Sequence, residues 1–200
     1  LLASDLKMTD TQPSVAHRKL AAELSDTLFF DPRTGWAPDQ TAHSTVRLRR
    51  YRGGARGPVM LAPGLGMSTD SYLLTSTPRN FVERLVAEGF DVWLFDPRMS
   101  ISLDSSDTKY SLDDLALVDW RAGIDKVREV TGARDVQIVA HCVGSATALI
   151  TALENPEGIR AMVCSQMAAH FDVPKLTKFR ARLRPAGPLQ KMGLVSASPY

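Results

Sequence analysis

Hydrophobic and polar positions along the chain follow two different periods. Residues 45–51 alternate apolar and polar side chains, a pattern typical of a half-exposed strand. Later runs consist mainly of apolar side chains, as in strands that are covered on both faces. These runs are residues 58–62, 90–95, 136–140 and 159–163. The pattern therefore predicts one half-exposed strand followed by four buried ones.

Apolar residues at helical spacing separate the buried strands and predict three helices. The first begins at Thr77, an N-cap residue that is followed by proline at the first helical position. The second begins with the capping-box pattern of Ser111 and Asp114. The third is predicted over residues 144–153, and a less regular pattern predicts a further helix over residues 15–28.

Buried strands that alternate with helices predict an α/β fold, with a mostly parallel sheet and helices on both faces. We assign residues 1–43 to an N-terminal extension and residues 44–172 to a partial core. Residues 173–200 are basic and contain no acidic residue, and we assign them to the start of a cap or lid. We favour a helix that covers the domain, with a helix on a lipid surface as the alternative.

Composition excludes several classes of function. The net charge of +2 is too small to indicate a nucleic-acid partner. The two cysteines make no disulfide scaffold, no metal-ligand spacing occurs, and Cys164 is predicted to be a small buried hydrophobe. No apolar run approaches the ~20 residues of a membrane span, and no secretory signal is recognised. A cytoplasmic location is the default expectation, and a start at Leu1-Leu2 suggests a chain cut from something longer.

The stretch around Cys142 carries the strongest chemical signal. A buried strand ends, one residue turns, and a helix begins, with the small residues Ala140 and Gly144 two positions to either side. A side chain at the tip of such a turn needs a strained backbone and small neighbours. The helix N-terminus favours a negative charge, so we expect the thiol to ionise easily. The N–H of Val143 then points to where an oxyanion would form.

A second oxyanion donor is predicted in the loop after residues 58–62. Gly64 and Gly66 allow the backbone to come close, and the N–H of Leu65 is the candidate donor. A dinucleotide-binding loop is a weaker interpretation of these glycines, since no helix follows directly, and no lysine makes a phosphate loop. Asp96 and Arg98, which end a neighbouring strand, are predicted to form a structural pair with each other.

Several segments give a family resemblance. PVMLAPGLG, GFDVWLFDPR, YSLDDLALVDW and AHCVGSATALI occur in the order, and at about the intervals, of acid-lipase-like α/β-hydrolases. With VCSQMAAH on the next strand, they most closely resemble the α/β-hydrolase domain that accompanies GMC flavin oxidoreductases of the cholesterol-oxidase-like group. A cysteine at this turn is also similar to polyester synthases and dienelactone hydrolases. The resemblance covers about residues 45–172.

The resemblance implies roles for individual residues. Cys142 matches the nucleophile, Leu65 and Val143 match the oxyanion-hole residues, and His141 matches a supporting residue of the turn. In this fold the nucleophile, the acid and the histidine follow one another in that order. After Cys142 the sequence contains one histidine, His170, and beyond it one acid, Asp172.

Both of these residues are predicted near the end of the fourth buried strand. Asp172 is a candidate for the triad acid. We interpret His170 as a strand-end residue rather than the general base, because it departs from the expected order. The chain thus lacks a convincing base and stops inside an apparent cap, so we expect a fragment of a competent enzyme rather than a decayed one.

The expected activity is esterase-like or lipase-like acyl hydrolysis through Cys142. The substrate is expected to be a small apolar or lipid-like ester, with no cofactor and no metal. Two alternatives remain open. One is a non-catalytic accessory domain that partners a flavin oxidoreductase, and the other is a cysteine acyltransferase of the polyester-synthase type.

Overall fold

A single six-stranded sheet organises residues 20–33 and 45–167, which are the residues described by the computed structural model. The strands lie in the order β1-β2-β4-β3-β5-β6. The first two pair antiparallel with their neighbours, whereas the last four run parallel to one another. The strands are β1 Asp26–Phe30, β2 Val46–Tyr51, β3 Pro58–Ala62, β4 Asp91–Asp96, β5 Val136–His141 and β6 Ile159–Ser165. The predicted mostly parallel α/β sheet is confirmed.

Helices cover both faces of this sheet. They are α1 Phe81–Ala87, α2 Arg121–Thr131 and α3 Val143–Glu154, with a π-helical segment at Asp114–Trp120 and short 3-10 turns at Thr69–Tyr72 and Asp104–Asp107. Val82 of α1 packs against Val59 and Leu61 on one face. On the other face, the π-helical segment and helices α2 and α3 pack against Met60 and Ala62 of the same strand. Strand β3 is therefore buried on both sides, as its unbroken apolar run predicts.

The start of the sheet differs from the prediction of a helix over residues 15–28. Residues 20–25 are not helical, and β1 pairs with β2 in the register Asp26↔Arg50. Residues 15–19 lie outside the described part of the chain. The helix prediction is therefore wrong over residues 20–28, and at residues 26–28 cross-strand pairing, which local spacing does not report, decides the conformation.

Two helix starts were predicted, with different outcomes. At α1 the N-cap is Asn80, not Thr77: the Asn80 side chain accepts from the N–H of Glu83 at 2.9 Å, and the Glu83 carboxylate accepts from the N–H of Asn80 at 3.0 Å. This capping box satisfies two N–H groups that the first turn leaves free. The reciprocal bonds of Ser111 and Asp114 are confirmed at 2.8–3.1 Å.

Strand β6 is also more open than its composition predicts. Val163 is 59% exposed, and most of the strand is exposed as well. The strand lies at one edge of the sheet, where it pairs only with β5 among the described strands. The expectation of a strand buried on both faces is therefore wrong for residues 159–163. Within the described residues, no helix is both long enough and apolar enough to cross a membrane.

Candidate active site

Cys142 is the single residue between the end of β5 and the start of α3. Its backbone has φ 51° and ψ −118°, a combination that residues with a Cβ seldom adopt. The turn leaves the cysteine exposed and places it at the N-terminus of a twelve-residue helix. The predicted strained turn is thus present, and it presents a thiol to solvent at the carboxyl edge of the parallel strands.

Hydrogen bonds fix this turn to the neighbouring strands. The N–H of Cys142 donates to the carbonyl of Ser165 at 2.9 Å. The buried hydroxyl of Ser145 lies 2.6 Å from the carbonyl of Ala140 and 3.1 Å from that of Ser165. The end of β5, the first turn of α3 and the end of β6 are therefore tied together around the cysteine.

The residues packed around Cys142 must be small for steric reasons. A Cβ added to Gly144 would lie 2.3 Å from the carbonyl oxygen of Pro63, so the helix and the loop after β3 touch through backbone. A Cβ on Gly64 would lie 3.0 Å from Cys142 Cβ and 3.3 Å from His141 Cδ2. The loop of residues 63–72, called the Gly64 loop below, therefore packs directly on the turn.

The two predicted oxyanion donors lie along one cleft. Leu65 of the Gly64 loop and Val143 of α3 both line it, and its volume is about 1330 Å³. Val143 is the first helical residue, so its N–H has no acceptor within the helix. The structure thus brings Leu65 and Val143 to one cleft, and Val143 directly follows the cysteine in the chain.

Most of the remaining lining comes from the loop of residues 97–111, called the Met99 loop below, and from the residues that follow it. Asp104, Asp107 and Lys109 add charge to the cleft. Its apolar lining consists of Leu65, Met99, Ile101, Leu103, Leu112, Leu115 and Val143. The lining of the cleft is therefore mainly apolar, with three charged side chains.

Asp96 and Arg98 do not pair with each other, so that prediction is wrong. Asp96 accepts from Arg47 at 2.7 and 3.1 Å, whereas Arg98 is held by Asp119 at 2.6 and 3.0 Å. All four side chains are largely or fully removed from solvent. Two separate buried ion pairs therefore stand where one was expected.

The second cysteine is also placed differently from its prediction. Cys164 is exposed as a residue, whereas it was expected to be buried. Its Sγ lies 3.9 Å from the carbonyl of Ser145, and the partial burial of this sulfur raises the pKa of the Cys164 thiol. Its thiolate is therefore disfavoured, which makes Cys164 a useful internal reference for Cys142.

His141 is the one histidine in the described residues. Its Nδ1 lies 3.5 Å from Ser165 Oγ, at the same edge of the sheet as Cys142. The candidates His170 and Asp172 lie outside the described residues. Within residues 20–33 and 45–167, no group of three His, Cys, Asp or Glu side chains is placed to hold a metal ion.

A parallel sheet with a strained strand-to-helix turn at its carboxyl edge defines a class of α/β proteins. The family model described as alpha/beta hydrolase fold matches residues 57–188, well over half of the chain. The protein therefore belongs to the α/β-hydrolase fold family, and the predicted superfamily is confirmed. The comparison with curated proteins gave no match.

Solved structures agree with this fold. A thermostable carboxyl esterase from Bacillus coagulans superposes with a TM-score of 0.59 at 19% identity, over 84% of this chain and 51% of that one. An E-2-(acetamidomethylene)succinate hydrolase gives 0.56 at 18% identity, over 82% and 52%. An esterase from Pyrococcus furiosus gives 0.57 at 14% identity, over 82% and 63%. The chain spans about half the length of the first two, and at these identities the likeness concerns the fold alone.

Two residues of the site were missed by the sequence analysis. Ser145 and Ser165 hold the turn, but they were given no role. A hydroxyl three residues after the turn residue was a usable signal for Ser145, because serine in a first helical turn often bonds to nearby backbone. Ser165 contributes its carbonyl to Cys142, and no side-chain pattern reports a backbone contact of that kind.

Proposed function

We propose that this protein hydrolyses carboxylic esters, with Cys142 as the nucleophile. The observation that carries the proposal is the exposed thiol on the strained turn, beside a cleft that Leu65 and Val143 both line. A strained backbone is maintained where it serves to present a side chain. Membership of the α/β-hydrolase fold family supports the same assignment.

The proposed reaction has two steps. The Cys142 thiolate attacks the ester carbonyl, and the N–H groups of Leu65 and Val143 hold the oxyanion that forms. The C–O bond to the alcohol then breaks, the alcohol leaves with a proton, and an acyl-thioenzyme remains. Water adds to the thioester, and the carboxylic acid is released as the thiol is restored.

A base must accept the thiol proton and later activate the water. His141 points its Nδ1 towards Ser165, so we assign the base to sequence that follows β6. His170 is the one histidine after Cys142 in the given sequence, but it precedes Asp172 and departs from the order of this fold, so we keep it as a strand-end residue. Asp172 is proposed as an acid that orients a histidine, in keeping with the order of residues in this fold.

The cleft supports apolar acyl groups as substrates. Ile101 and Leu112, which are 59% and 54% exposed, line it together with Leu65. An acyl chain that covers these side chains would remove apolar surface from water at roughly 25 cal/mol per Å². We therefore expect a p-nitrophenyl decanoate to react faster than the acetate.

The test combines ester turnover with thiol labelling. The full chain should release p-nitrophenol, and mass spectrometry should find the acyl group on Cys142. Cys142→Ala should abolish both signals, while the matched variant Cys164→Ala should retain both. Iodoacetamide should label Cys142 faster than Cys164, whose raised pKa disfavours the thiolate. Equal labelling of the two thiols, with no acyl-enzyme, would refute the proposal.

A second candidate function is an accessory domain that docks on a GMC-type flavin oxidoreductase. The exposed apolar side chains of Val163 and Met167 at the end of the sheet support it, since such surfaces often mark interaction sites. It predicts slow labelling of Cys142. A cysteine acyltransferase is distinguished by a stable acyl-enzyme that transfers to an added alcohol faster than to water.

A further inference from the structure

We propose that Asp96 is a positioning residue that fixes the Gly64 loop against the Met99 loop, and so sets where the Leu65 N–H lies. This inference rests on the proposed function, because it concerns the oxyanion site of the same cleft. Asp96 lies at the carboxyl end of β4 and is fully buried. It does not line the cleft, so its effect is transmitted through the loops that do.

The carboxylate of Asp96 joins three parts of the chain. One oxygen accepts from the Thr69 N–H and from the Ser100 hydroxyl, both at 2.8 Å. The other accepts from Arg47 of β2 at 2.7 Å, and from the Thr69 hydroxyl at 2.5 Å. A single side chain thus holds the Gly64 loop through Thr69 and the Met99 loop through Ser100.

Further contacts restrain the loop that carries Leu65. The Gly64 loop is closed at its far end by the Tyr72 hydroxyl, which donates to the Ala62 carbonyl at 2.9 Å. It is joined to the Met99 loop by the Ile101 N–H, which lies 3.3 Å from the Met67 carbonyl. Between Ala62 and Tyr72, two bonds from Thr69 anchor the loop to Asp96, and Asp70 pairs with Arg49 of β2 at 2.7 Å. Leu65 lies four residues before that anchor.

The charge of Asp96 is matched to its surroundings. Arg47 bonds to it directly, and Arg49 lies 3.7 Å away while also donating to the Thr69 hydroxyl at 2.8 Å. All the neighbours named here present N–H or O–H groups, so both oxygens must accept. An asparagine would turn an N–H₂ group towards donors and leave buried groups unpaired, which costs more than the loss of one bond. Asp96→Asn should therefore release Thr69.

Asp91 offers a matched control on the same strand. It begins β4, pairs with Arg50 of β2 at 2.7 and 2.9 Å, and is almost as buried as Asp96. It lies at the opposite end of the strand, about 16 Å away at the usual strand rise. Asp91→Asn thus breaks an equivalent arginine pair between the same two strands without touching either loop.

The first measurement is hydrogen exchange in the full chain. In Asp96→Asn, exchange of backbone amides in residues 64–69 should rise about tenfold, the effect of losing one net hydrogen bond. In Asp91→Asn the same amides should be unchanged. Thr69→Val provides a milder second variant, because it removes the hydroxyl contact and leaves the Asp96–Arg47 pair in place. Equal exchange of residues 64–69 in all these variants and the wild type would overturn the inference.

The second measurement compares two reactions of Cys142. Alkylation by iodoacetamide forms no oxyanion, whereas acylation by a p-nitrophenyl ester does. Asp96→Asn should lower the acylation rate about tenfold to a hundredfold, with alkylation unchanged and the effect on kcat rather than KM. A wild type that alkylates but never acylates would refute the proposed function, while the exchange result would still decide the positioning role. A parallel loss of both reactions would mean general disruption and overturn the inference.

Discussion

Replacing Cys142 by glycine is expected to make the protein more stable. The residue has φ 51° and ψ −118°, which is the mirror image of an ordinary extended conformation. Glycine reaches that region freely, whereas a residue with a Cβ is strained there by about 1–3 kcal/mol. The side chain is exposed, so its removal sacrifices little burial.

The opposing term is the greater freedom of glycine in the unfolded chain, about 0.5–1 kcal/mol. The free energy of unfolding should therefore rise by about 1 kcal/mol, which corresponds to roughly 2–4 °C in Tm for a chain of this size. Cys142→Ala is the control, because it removes the sulfur and keeps the Cβ that causes the strain. Its stability should match that of the wild type.

Urea unfolding followed by tryptophan fluorescence measures both variants, since Trp93 and Trp120 are fully buried in the core. If the glycine variant is no more stable than the alanine variant, the turn is not strained and the argument for a maintained nucleophile position fails. If both variants gain equally, the sulfur and not the backbone is responsible. Only a gain confined to glycine supports the reasoning.

Two further predictions concern pH. Ser111→Ala should lower the free energy of unfolding by about 1 kcal/mol near neutral pH. Hydrogen bonds from Ser111 hold the pKa of Asp114 below its usual value. The stability difference between variant and wild type should therefore shrink as the pH falls through that lowered pKa, which urea titrations at acid pH would detect. Burial raises the pKa of Tyr72 to about 12. The contribution of the Tyr72 hydroxyl to the free energy of unfolding is therefore complete below the ordinary pKa of about 10, and it is lost as the pH rises through the pKa of the folded protein. Tyr72→Phe should thus lower the free energy of unfolding by about 1 kcal/mol at neutral pH, and the difference from wild type should narrow in alkaline solution. A difference that stays constant with pH would contradict the raised pKa of Tyr72.

The strands and the turn at Cys142 were predictable because their causes are local. The unbroken apolar run 58–62 indicates burial on both faces, and β3 is buried along its whole length. The small residue at position 144 indicates a close approach, and the structure identifies its partner as the carbonyl of Pro63. The strand at residues 26–30 was missed because it is an edge strand that pairing with β2 fixes, and the spacing of its side chains does not encode that pairing.

The buried ion pairs were not predictable from spacing. Asp96 and Arg98 are close in sequence, which favoured pairing them, but Asp96 ends a strand and Arg98 begins a loop. Their side chains consequently meet partners 49 and 21 residues away, Arg47 and Asp119. The sequence shows that charged residues lie at the end of β4. Which residues they pair with depends on the strand order, which places β4 beside β2.

Departures from local rules are concentrated at one edge of the sheet. In the described residues, the non-glycine positions with positive φ are Cys142 and Gln166, which follow the ends of β5 and β6. Asp96, a fully buried carboxylate, ends β4 at the same edge. The π-helical segment contributes Leu115 to the cleft. Each feature costs stability by itself, and such costs persist where they position reacting groups. Their common location supports an active site at this edge more strongly than the cysteine alone does.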